Sequence, residues 1–110
     1  MFCRCIQAQF FAGHSRAIRI ASRIVNLHKF LCADKKEYVL SKQLLRSGTA
    51  IGALVREAEQ AESKPDFVHK LAIALKEANE TEYWILLLHK AEYLTVRESE
   101  SILEDNKALL

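Results

Sequence analysis

Three four-residue stretches constrain this chain more than anything else in it: "DKKE" (Asp34 to Glu37), "SKPD" (Ser63 to Asp66) and "TVRE" (Thr95 to Glu98). Each sets a short capping side chain three residues ahead of an acid, as in a capping box or a close variant. There, side-chain oxygens take up the amide protons that a helix's first turn leaves unbonded. Pro65 reinforces the second stretch, because a first turn does not need its missing backbone donor and its fixed φ suits a helix. Three starts divide 110 residues into four helices, expected at about 15–32, 35–62, 64–93 and 96–110. Little could interrupt them, since the chain has three glycines and one proline. Short connections favour antiparallel neighbours. The expected fold is all-α, an antiparallel up-and-down four-helix bundle over residues 14–110 behind a ragged N-terminal extension at 1–13.

Periodicity supports this division. Leu40, Leu44, Ser47, Ile51, Leu54, Ala58 and Ala61 step alternately by four and three, with Leu45, Gly48, Gly52 and Val55 beside them. In the third segment Phe67, Leu71, Ala74, Ala78, Thr81, Ile85 and Leu88 form a seam, and Ile73, Trp84, Leu87 and Ala91 a neighbouring line. Such double stripes are wider than one coiled-coil partner covers, so these helices belong inside a bundle or against a second subunit. The fourth segment is short for its partners and ends on "ALL" without a terminating glycine.

Several classes are disfavoured. Cys3, Cys5 and Cys32 are odd in number and lack a CxxC pair, which gives neither a disulfide framework nor a four-ligand zinc site and fits a reducing cytoplasm. The opening "MFCRCIQAQFFAG" is too interrupted for an export signal. The densest apolar run, "YWILLLHKAEYL", is broken by His89, Lys90 and Glu92, so no membrane partner is expected. The glycines Gly48 and Gly52 do not make a phosphate loop, because no Lys-Ser/Thr follows and the spacing is helical. They lie on one helix face, where another helix could come close; with Trp84 they are the candidate helix-packing or oligomer contacts.

The charge is divided. Residues 1–46 carry nine basic and two acidic residues, and residues 47–110 carry seven basic and twelve acidic. A chain with unlike ends can draw nucleic acid to one of them or pair unlike ends of neighbouring subunits. Arg16, Arg19 and Arg23 share a stripe of the first helix, while Lys42, Arg46 and Arg56 lie towards the outside of the second. These six are the candidate contacts to RNA or DNA, set against a solvated basic face; binding would be to the backbone and salt-sensitive. Glu77 and Glu80, flanked by Ile73 and Trp84, are candidate semi-buried carboxylates together with Glu57. The preferred reading pairs them with Arg or Lys of a neighbouring helix. The facing Glu-x-x-His motifs of a di-metal bundle are missing, and "HKAE" runs in reverse order. The four histidines are scattered, and Cys32 has no paired base evident in the sequence. No catalytic residue, metal, cofactor or small-molecule substrate is expected.

Within "QLLRSGTAIGALVREAEQAESKPDFVHKLAIALKEANETEYWILLL", Arg46-Ser47, Ile51-Gly52, Glu57-Ala58, Ser63, Asp66-Phe67, Ala74 to Glu77, Glu80-Thr81 and Tyr83-Trp84 fall in one order and spacing. In these the chain resembles the small bacterial four-helix-bundle proteins of intervening sequences in 23S ribosomal RNA genes, with weaker similarity through "RAIRIASRIVNLHKFL" and "SILEDNKALL". It also resembles accessory proteins of diversity-generating retroelements. The resemblance implies a left-handed bundle assembled as a ring-like homopentamer without enzymatic activity, and in the retroelement proteins a basic surface that binds nucleic acid. The chain has Ala50 where the family often has Ser, and Leu54 where many members have Asn. The expected function is therefore that of a non-enzymatic subunit of a cytoplasmic homo-oligomer, a pentamer by the resemblance, with an assembly or scaffold role and nonspecific nucleic-acid contact; the alternative is a dedicated RNA- or DNA-binding accessory module using the basic face of the first helix.

Overall fold

The computed structural model describes the backbone of residues 4–108 and the side chains of residues 15–108. Four helices follow in order: α1 (Arg4–Ala33), α2 (Val39–Glu59), α3 (Lys64–Lys90) and α4 (Val96–Lys107). Each packs on its neighbours in sequence, and α4 closes back onto α1; α1 and α3, like α2 and α4, are diagonal, their backbones held apart by the core. The bundle measures 47 × 22 × 19 Å. Its long axis is essentially the length of α1, 30 residues at about 1.5 Å each.

The core has two zones. Ile20, Ile24, Leu27 and Leu31 of α1 meet Leu44, Ile85, Leu88, Leu94 and Ile102, while Ala17, Ile51 and Ala78 form a smaller cluster farther along. Ile20, Ile24, Leu31, Leu44, Ile85 and Leu88 are fully buried. Each gains about 1.5–3 kcal/mol over exposure to water. The alanines let backbones draw together at that level, and there α4 ends: the Asn106 side-chain amide donates to the Ala78 carbonyl at 2.9 Å. With 12 residues against the 27 of α3, α4 covers roughly half of its partner's length at about 1.5 Å per residue.

Two of the expected caps form as the residues foretell. Thr95 and Glu98 make a reciprocal box, with the Glu98 amide donating to Thr95 Oγ1 at 3.1 Å and the Thr95 amide to Glu98 Oε1 at 3.0 Å. Ser63 accepts from the Asp66 amide at 3.2 Å, and Asp66 reaches back to the amide of Glu62. The third differs. Asp34 belongs to the end of α1, its amide donating to the Phe30 carbonyl, and α2 begins at Val39 instead of 35. The buried carboxylate of Glu37 does the capping: Oε1 accepts from the amides of Val39 and Leu40, and Oε2 from that of Ser41 at 2.7 Å. Reversal between long helices uses up residues 34–38, with Lys36 at φ 57°, so the acid that was expected at the third helical position caps from outside the helix.

Other boundaries move for similar reasons. α1 begins at Arg4 rather than 15, since one glycine, Gly13, costs a helix only about 1 kcal/mol; residues 1–3 of the expected extension lie outside the described residues. α2 stops at Glu59 instead of 62, because Ser63 must be extended (φ −156°, ψ 167°) to cap α3. α3 stops at Lys90 instead of 93, where Glu92 turns left-handed at φ 70°. The Glu92 amide then donates to the His89 carbonyl and that of Tyr93 to Leu88, the paired bonds of a Schellman ending. The expected last residues of α4, 109 and 110, lie outside the described residues.

Candidate functional site

The arginine stripe of α1 is turned towards α4. Arg23 donates to Asp105 Oδ2 at 2.5 Å, to the Ser101 carbonyl at 3.2 Å and to Ser101 Oγ at 2.9 Å. Arg19 lies 3.8 Å from the same carboxylate, and Arg16 donates to the Ala108 carbonyl at 3.4 Å. Cations suit the C-terminal end of a helix, where carbonyls are left without amide partners. This is how α4 ends without a glycine: α1 supplies part of the cap. Arg19 remains largely exposed, whereas Arg23 is two-thirds covered.

The candidates on α2 divide. Arg46 pairs with Glu80 and, at 3.6 Å, with Glu77, so that it bridges α2 to both semi-buried carboxylates of α3. Glu57 lies 3.9 Å from Lys70. The three carboxylates are thus spread along the α2–α3 seam, each beside a cation, and no group of three or more His, Cys, Asp or Glu among the described residues could hold a metal ion. Glu77 Oε2 is buried and accepts no hydrogen bond. Lys42 and Arg56 are exposed.

One pairing was missed. Cys32 Sγ lies 3.7 Å from His28 Nε2 and 3.6 Å from Ser41 Oγ, and His28 Nδ1 sits 3.2 Å from the Ser41 carbonyl. A proton on Nδ1 bonded to that carbonyl leaves Nε2 to accept from the thiol. The i, i+4 spacing of His28 and Cys32 was the available signal. The group ties the end of α1 to the start of α2. His89 works likewise at the other corner, its Nδ1 3.0 Å from the Leu94 carbonyl.

The packing candidates also separate. A Cβ on Gly48 would lie 2.8 Å from Cγ1 and Cγ2 of Ile24, so α1 and α2 touch here too closely for any side chain. A Cβ on Gly52 would meet nothing nearer than the Ala17 carbonyl oxygen at 3.7 Å, an ordinary contact. Trp84 is half-buried against the main core, edge to face with exposed Tyr83, and its indole N–H has no acceptor. Beside Gly52 an open groove of about 580 Å³ runs between α1 and α2, lined by Ile18, Ala21, Val25, Thr49, Ala53 and Arg56 among others. On α3, Val68, Leu75, Tyr83 and Leu86 are about half exposed.

No described helix is long and apolar enough to cross a membrane. The comparison with curated proteins finds no match. A solved structure of a protein of unknown function from the S23 ribosomal protein family of Bacteroides thetaiotaomicron is 55% identical with a TM-score of 0.90, covering 91% of this chain and 89% of that one. The family model for the 23S rRNA-intervening sequence protein matches residues 13–110. With nearly its whole length matched, the chain belongs to the 23S rRNA-intervening sequence protein family.

Proposed function

We propose that this protein is a non-enzymatic helical subunit of a cytoplasmic homo-oligomer, with assembly as its role and five copies as the number its family resemblance implies. The observation that carries the reading is apolar surface left in water in two places, the groove beside Ile18 and the half-exposed Val68, Leu75 and Leu86. Apolar surface gathered in a groove or along a helix face is the kind that a second chain buries. Glu57, Glu77 and Glu80 tie α3 to α2 through Lys70 and Arg46, a structural use of these groups that supports the non-enzymatic part. Light scattering at micromolar concentration tests the assembly. A multiple of the 12.6 kDa chain mass is expected, and the chain mass itself overturns the reading.

Nonspecific contact with RNA or DNA is a secondary role in this proposal, carried by Lys42 and Arg56, exposed candidates that take no part in the α1–α4 and α2–α3 ion pairs. The alternative, a dedicated nucleic-acid module gripping through α1, must share Arg16 and Arg23 with α4. Changing Lys42 and Arg56 together to Glu should weaken binding of a single-stranded RNA oligonucleotide and flatten its salt dependence. Unchanged affinity and slope would remove this role.

A further inference from the structure

We draw no further inference here: the strongest candidate, the side-chain cluster of His28, Cys32 and Ser41 at the corner between α1 and α2, offers a single thiol whose hydrogen bonds all run within the cluster, and nothing in the structure points to a ligand or a modifying group for it.

Discussion

The hydroxyls of Thr81 and Ser47 are hydrogen-bonded at 3.0 Å in the fully buried seam between α3 and α2. Each hydroxyl has one proton. Thr81 Oγ1 is also 2.8 Å from the Glu77 carbonyl, so its proton can go there while it accepts from Ser47, whose other acceptor is the Leu44 carbonyl at 3.3 Å. Thr81→Val should cost about 1–2 kcal/mol, since Ser47 loses the better partner, and Ser47→Ala about 1 kcal/mol. The double variant should lose less than the sum of the two. Urea denaturation of the four proteins measures the coupling, and strict additivity would show that the hydroxyls do not interact.

The two glycines of α2 should respond in opposite directions to alanine. Gly48→Ala forces a methyl into Ile24 and should destabilise the fold by about 1–3 kcal/mol. Gly52→Ala meets only ordinary contacts within its chain and should stabilise the protomer by up to about 1 kcal/mol. Chemical denaturation at several protein concentrations separates the stability of the protomer from any contribution of assembly. Equal losses at both positions would contradict the geometry.

Glu92 ends α3 in a conformation that favours glycine. Glu92→Gly should therefore raise stability by about 0.5–1 kcal/mol, the steric relief at a left-handed position exceeding the entropy that glycine adds to the unfolded chain. A lower melting temperature would mean that the Glu92 side chain makes a compensating interaction.

The Glu98 carboxyl is held below its ordinary value, first by the hydrogen bond from the Thr95 backbone, then by the Thr95 side chain, with the charge of Lys35 adding and slight burial opposing. A depressed folded pKa stabilises the fold above the unfolded value of about 4.3, and that contribution is lost as pH falls through the folded value. Glu98→Gln keeps a capping side chain without the charge. Its stability should trail the wild type at neutral pH and converge with it in acid. A gap independent of pH would remove the charge from the explanation.

Arg23 bonds both to Asp105 and to Ser101, across the side of the bundle where α4 closes onto α1. Arg23→Met should leave α2 and α3 intact but speed amide hydrogen exchange in residues 101–107. Arg23→Lys should restore little, because an ammonium group cannot span both partners as a planar fork does. Unchanged exchange in α4 would mean that Ile102 and Asn106 hold it unaided.

Helix number, helix type and two of the three caps were legible because they depend on neighbours in sequence. A hydroxyl three residues before an acid makes the same bonds in any tertiary setting, as Thr95 and Glu98 do. The seams of α2 and α3 were legible as well, since three-and-four spacing places Leu44, Ile51, Ile85 and Leu88 on inward faces whichever helices lie opposite. Where a helix must stop so that the chain can turn back was not legible. Asp34 was expected to cap α2 with Glu37 inside the helix, and the reversal after α1 instead left Asp34 at the end of α1 and gave the cap to Glu37.

The candidate site followed the same division. Sequence alone put Arg16, Arg19 and Arg23 on one stripe, and Gly48 and Gly52 on one face. Only the tertiary structure could say that the stripe meets the C-terminal end of α4, that Arg46 is taken up by Glu77 and Glu80, and that Ile24 crowds Gly48 while leaving Gly52 room. The reason is physical: helical period determines which direction a side chain leaves its own axis, but what lies in that direction depends on the position of another helix, a long-range relationship that spacing along one helix does not contain.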